Sequence, residues 1–95
     1  MINVKIAFLS LLTDFTKIKA INLPLDDNST IKNVFKKLSL KYGKEFKEAF
    51  FDTSGNLSKY IILVLNGKDI RLLKGIDTVI QNGDKISFIP AIAGG

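Results

Sequence analysis

Tyr60-Ile61-Ile62-Leu63-Val64-Leu65-Asn66-Gly67-Lys68-Asp69-Ile70 is the stretch from which the rest of the chain can be read. An uninterrupted apolar run rich in β-branched residues suits a strand. Asn66-Gly67 then supplies two consecutive positions that tolerate the positive φ of a type I′ turn, the commonest way to fold a strand back on itself. The segment therefore predicts a hairpin, with one strand over residues 60–65 and a short partner starting at Lys68. Within Ile61 to Leu65 both alternating sets are apolar, so this strand carries apolar side chains on both faces of its sheet. A helix layer covers one face only, and the other keeps an apolar area open to a partner unless a loop such as Lys44 to Ser58 folds across it.

Downstream, Ile70, Leu72, Leu73 and Ile76 lie in an irregular or 3₁₀ stretch expected to pack on the core. Asn82-Gly83-Asp84 makes a second turn, and Lys85 to Ile89 a last strand with Ile86 and Phe88 inward. Pro90 locks φ and has no N–H to donate, so it is expected to end strand pairing. Residues 1–90 then form one domain and 91–95, Ala91-Ile92-Ala93-Gly94-Gly95, a flexible tail.

Upstream, Ile2, Val4, Ile6 and Phe8 alternate along a first strand over 2–9, and residues 10–16 form a loop. A second strand is expected from Lys17 to Leu23, its faces unassigned because its period slips, with Pro24 ending it. Ser29 or Thr30 caps a helix whose apolar stripe is Ile31, Val34, Phe35, Leu38 and Tyr42, and Gly43 suits its C-terminal end. A shorter helical turn over 44–51 points Phe46, Phe50 and Phe51 to the core. Asp52 to Asn56 is a loop. The order is β-β-α-β-β-β, an α+β domain without repeats.

Ninety-five residues suffice for one domain, and 46% hydrophobic with 24% charged residues is a globular composition. Cysteine and histidine are both absent, which removes disulfides, thiolate zinc sites, a cysteine nucleophile and the commonest general base. The acidic residues divide among a helix cap, a helix surface and turns, with no spacing that suits a catalytic pair. No phosphate-binding glycine loop occurs. The chain is expected to have no catalytic activity, metal or bound cofactor of its own. Its net charge of +5 is spread along the chain, and the lysines at 32, 36, 37, 41, 44 and 47 read as a solvated helix face, so nucleic-acid binding is not favoured. No run approaches the roughly 20 apolar residues of a membrane span. The start alternates like a strand and lacks a signal-peptidase site, which points to the cytoplasm.

The tail offers the remaining chemistry. Its final residues, Gly94 and Gly95, lack a Cβ and can thread a narrow slot. The Gly95 α-carboxylate is unhindered and ionised at neutral pH, with a reference pKa of roughly 3.5.

Val64 to Ile70, then Asn82-Gly83-Asp84-Lys85-Ile86-Ser87-Phe88-Ile89-Pro90, then Ala91 to Gly95, together resemble the signature of the ubiquitin-like MoaD family. That group includes the molybdopterin synthase small subunit, the archaeal small modifier proteins and, more distantly, ThiS and Urm1. Many relatives carry two prolines before the tail, where this chain has Pro90-Ala91. The resemblance implies a β-grasp fold, a mixed sheet of four to five strands around one main helix with the first and last strands central and parallel. It also implies that an E1-like adenylating enzyme uses ATP to activate Gly95. Sulfur transfer then gives a thiocarboxylate for molybdopterin biosynthesis or tRNA thiolation, and attack by a target-protein lysine gives an isopeptide conjugate. Implied partners are that enzyme and the molybdopterin synthase large subunit or target lysines. Gly94 and Ala93 would give clearance. The open sheet face, with Ile61, Leu63 or their neighbours, and with Ile89 and Pro90, would dock the enzyme.

Overall fold

The computed structural model describes residues 1–13 and 17–91. Five strands form one sheet in the order β2-β1-β5-β3-β4: β1 Ile2–Phe8, β2 Ala20–Leu25, β3 Ile61–Leu65, β4 Lys68–Asp69 and β5 Lys85–Pro90. β1 and β5 are central and parallel, and the other pairings are antiparallel. Helices α1 (Ile31–Tyr42) and α2 (Lys44–Phe50) pack on one face of the sheet. This is the β-grasp arrangement.

The alternation in β1 buries Ile2, Val4, Ile6 and Phe8, and the same parity in β5 buries Ile86 and Phe88. Phe88 stacks on Phe8 at 5.4 Å and meets Phe50 edge-on at 5.4 Å, tying the central strands to α2. Along α1, Ile31, Val34, Phe35 and Leu38 are buried. Thr30 is its N-cap residue, and the Thr30 N–H donates to Asn33 Oδ1 at 2.8 Å. Gly43, at φ +81°, separates the two helices.

Two prolines stand in strands where the sequence predicts strand ends. β2 starts at Ala20 and runs through Pro24 to Leu25. It is an edge strand, and Pro24 faces away from β1: its carbonyl accepts from Lys37 Nζ at 2.9 Å, so the missing N–H also lies on the open edge. Pro90 likewise pairs, opposite Ile61, and the Ala91 N–H donates to the Tyr60 carbonyl at 2.7 Å beyond it. Even-numbered residues of β5 bond toward β1, since Phe88 O accepts from Leu9 N–H. The acceptor that an amide at position 90 would reach is the Leu9 carbonyl. It accepts instead from Leu12 N–H at 3.2 Å, in the 3₁₀ turn Ser10–Leu12. The ladder therefore loses nothing at Pro90.

The stretch after β4 forms two 3₁₀ turns, Ile70–Leu72 and Gly75–Asp77. Ile70 is buried, but Leu72, Leu73 and Ile76 are exposed, contrary to the expected packing on the core. A 3₁₀ turn presents three directions per turn, and a stretch at the sheet margin has core on only one of them.

Candidate functional site

Asn66 and Gly67 take φ of 52° and 86°, the positive values that the hairpin requires. Beyond turning the chain, Asn66 joins two parts of the fold: its Oδ1 accepts from Lys85 N–H at 2.9 Å and its Nδ2 donates to Asp84 Oδ1 at 2.9 Å. Asp84 Oδ2 in turn accepts from Gln81 N–H at 2.8 Å. Asn82 Oδ1 accepts from Asn3 N–H at 2.8 Å, and Gly83 N–H donates to the Asn3 carbonyl at 2.8 Å. The Asn-Gly and Asn-Gly-Asp signatures thus clamp the starts of β1 and β5. They fix the strand that carries the chain toward its end, and their role is structural.

On the sheet face away from the helices, β5 presents Lys85, Ser87 and Ile89, β1 presents Asn3, Lys5 and Ala7, and β3 presents Ile62 and Val64. Ile62 pairs with Ile89, and Val64 lies opposite Ser87, which is itself level with Ala7. The result is a half-buried apolar area at the end of the sheet from which β5 leaves. Lys5 and Lys85, in register and both exposed, stand at the other end. Like charges side by side on neighbouring strands repel and favour an acidic counterpart. Segment 44–58 leaves this face open, because Phe46, Phe50, Phe51 and Leu57 hold it against the core on the helix side.

The face assignment within β3 reverses for two residues. Ile61 and Leu63 are 7% and 1% exposed and point toward the helices; Ile62 and Val64 occupy the open face instead. Five consecutive apolar residues hold no signal for choosing between parities. The choice is set by register, which brings Leu63 opposite the inward Phe88. Ile89 is half-buried on the open face, but Pro90 has the parity of the inward Ile86 and Phe88 and lies opposite the inward Ile61, so it stands at the helix-side margin and not on the open face. Ala93, Gly94 and Gly95 lie outside the described residues.

Asp69, opposite Val64 in the hairpin, is bound by Arg71: the guanidinium Nη2 donates to Oδ2 at 2.6 Å and Nε to Oδ1 at 3.1 Å. Hydrogen bonds from the Arg71 side chain hold its carboxyl below the usual range.

The family model for the ThiS family matches residues 10–95, most of the chain. The chain belongs to the ThiS family. A protein of Archaeoglobus fulgidus described as a sulfur carrier is 33% identical to this ThiS-family chain over 70% of its length and 74% of the relative's. Small archaeal modifier protein 3 of Haloferax volcanii is 29% identical over 81% of the chain and 82% of its own length. Among solved structures, small archaeal modifier protein 1 of Methanosarcina acetivorans superposes with a TM-score of 0.84 at 25% identity, covering 100% of this chain and 98% of the other. The ThiS-family assignment thus rests on a match that runs through the tail, and on a β-grasp fold shared from end to end.

Proposed function

We propose that the chain is a sulfur carrier whose Gly95 carboxylate is the working group. A partner E1-like enzyme docks on the open sheet face. The carboxylate attacks the α-phosphorus of ATP, pyrophosphate leaves, and an acyl adenylate forms. A sulfur nucleophile supplied by the partner system then displaces AMP from the carbonyl, which ends as a thiocarboxylate. The chain contributes position: the clamped β5 and the Ala91–Tyr60 hydrogen bond fix where the tail begins relative to the apolar area. Acceptors of the sulfur are a molybdopterin precursor, held by a synthase large subunit, or tRNA.

The observation that carries this reading is the ThiS-family match through Gly95 in a chain without cysteine or histidine. A second reading, conjugation of Gly95 to target lysines, is favoured by the relationship to small archaeal modifier protein 3. It uses the same adenylate, with a lysine amine in place of sulfur.

Incubation with an E1-like enzyme from the same genome, ATP and a sulfur donor should give intact protein whose mass reflects one oxygen replaced by sulfur. Deletion of Gly95 should leave the unfolding midpoint unchanged and abolish the mass change. An unmodified mass, with an enzyme that is active on its own substrate, would refute the carrier reading. A branched remnant on lysines of cellular proteins, running from Ile86 to Gly95 after tryptic cleavage at Lys85, would establish the modifier reading.

A further inference from the structure

A second surface lies on the helix side of the molecule. A groove of about 630 Å³ runs between α1 and the segment from α2 into the loop that follows it. Phe35 and Phe51, 4.9 Å apart at their ring centroids, form part of its floor. Leu40 and Ile76 border it and are 78% and 37% exposed. A leucine with most of its surface in water on the outer side of a helix gains nothing from the fold.

The charges around the groove are unbalanced. Lys32, Lys36 and Lys47 line it, all are exposed, and none takes part in the ion pairs among the described residues, which join Met1 to Asp27, Lys44 to Glu48 and Arg71 to Asp69. The groove's one carboxylate, Asp52, is engaged locally, with Oδ1 accepting from Ser54 N–H at 2.9 Å and Asn56 N–H at 3.0 Å. Three unpaired cations thus surround an apolar floor.

We propose that this groove binds an acidic amphipathic segment of a partner protein, whose apolar side chains cover Leu40, Phe51 and Ile76 while its carboxylates meet Lys32, Lys36 and Lys47. The apolar floor favours a peptide over a nucleic acid, whose backbone would gain from the lysines but not from Leu40 or Ile76. Concavity favours it over a lipid surface, which needs a convex or flat face. The groove lies across the sheet from the area proposed for the activating enzyme, so a partner here leaves that area unobstructed. The inference does not depend on the sulfur-carrier reading.

The test is a titration of the full isotope-labelled chain, followed by amide NMR shifts. The probe is a synthetic peptide alternating glutamate with leucine and isoleucine. Comparison probes are its lysine-for-glutamate analogue, a single-stranded oligonucleotide and anionic phospholipid vesicles. The expected result is saturable shifts confined to residues 32–40, 47–55 and 75–77 with the acidic peptide and none with the basic analogue. Lys36→Glu should weaken binding about tenfold, and Leu40→Ser about fivefold. Both positions are on the surface, and unchanged amide spectra elsewhere confirm the fold. Shifts on Ile62, Val64 and Ile89 instead, absence of saturation, full affinity in Lys36→Glu, or equally tight binding of the oligonucleotide or vesicles would each overturn the proposal.

Discussion

Asp69 is the residue whose ionisation the fold alters most plainly near the candidate site. Arg71 holds its carboxyl below the ordinary range through side-chain and backbone hydrogen bonds. A depressed carboxylate contributes stability above its unfolded-state pKa and loses that contribution as pH falls through its folded value. Arg71→Ala should therefore raise the Asp69 titration toward ordinary values, and both the stability that Asp69 contributes above its unfolded-state pKa and its share of the acid-side decline should shrink. Carboxyl NMR titration of both proteins checks this, and an unmoved Asp69 would mean that the pair exerts no hold in solution. Arg71 is exposed and only Asp69 is partly buried, so solvent screens the pair and the effect on stability at neutral pH should be small.

Among elements, β3 divides one apolar run between the core and the open face of the sheet. Leu63 is 1% exposed and faces the helices. Leu63→Ala should cost about 2–5 kcal/mol in urea unfolding. Ile62 is half-buried on the open face. Ile62→Glu should change stability by about 1 kcal/mol or less, yet slow adenylation at limiting enzyme at least about tenfold if this face docks the activating partner. Equal rates would move the docking site elsewhere. The element boundaries show the same division. The helix stripe, Gly43, the Asn66-Gly67 hairpin and the inward Ile86 and Phe88 were legible because each depends on neighbours in sequence. The passage of β2 through Pro24 was not, because a proline is tolerated according to what lies on its N–H side, and only the sheet order makes that side an edge.

For the whole molecule, Phe88 is the common contact of the layers. It packs on Phe8 from β1 and Phe50 from α2, and lies 6.3 Å from Phe35 of α1. Phe88→Ala should cost about 3–5 kcal/mol, a large part of the roughly 5–15 kcal/mol that holds a domain of this kind together. Thermal unfolding should show sheet and helices lost together at a lower temperature. Separate melting of the helices would show that the aromatic cluster is not the shared core.

The sequence alone determined the α+β class, the element order, both turn signatures and the family, because periodicity, turn chemistry and motif spacing are local properties of the chain. It also marked Gly95 as the group on which the proposed activation is to be tested. The tertiary structure decided which parity of β3 faces outward, why Pro24 and Pro90 can stand inside strands, that Asn66, Asn82 and Asp84 clamp the strand starts, and that Lys32, Lys36 and Lys47 gather around an apolar groove. Each of these depends on register and on packing between segments distant in sequence, and no window of neighbouring residues contains that information.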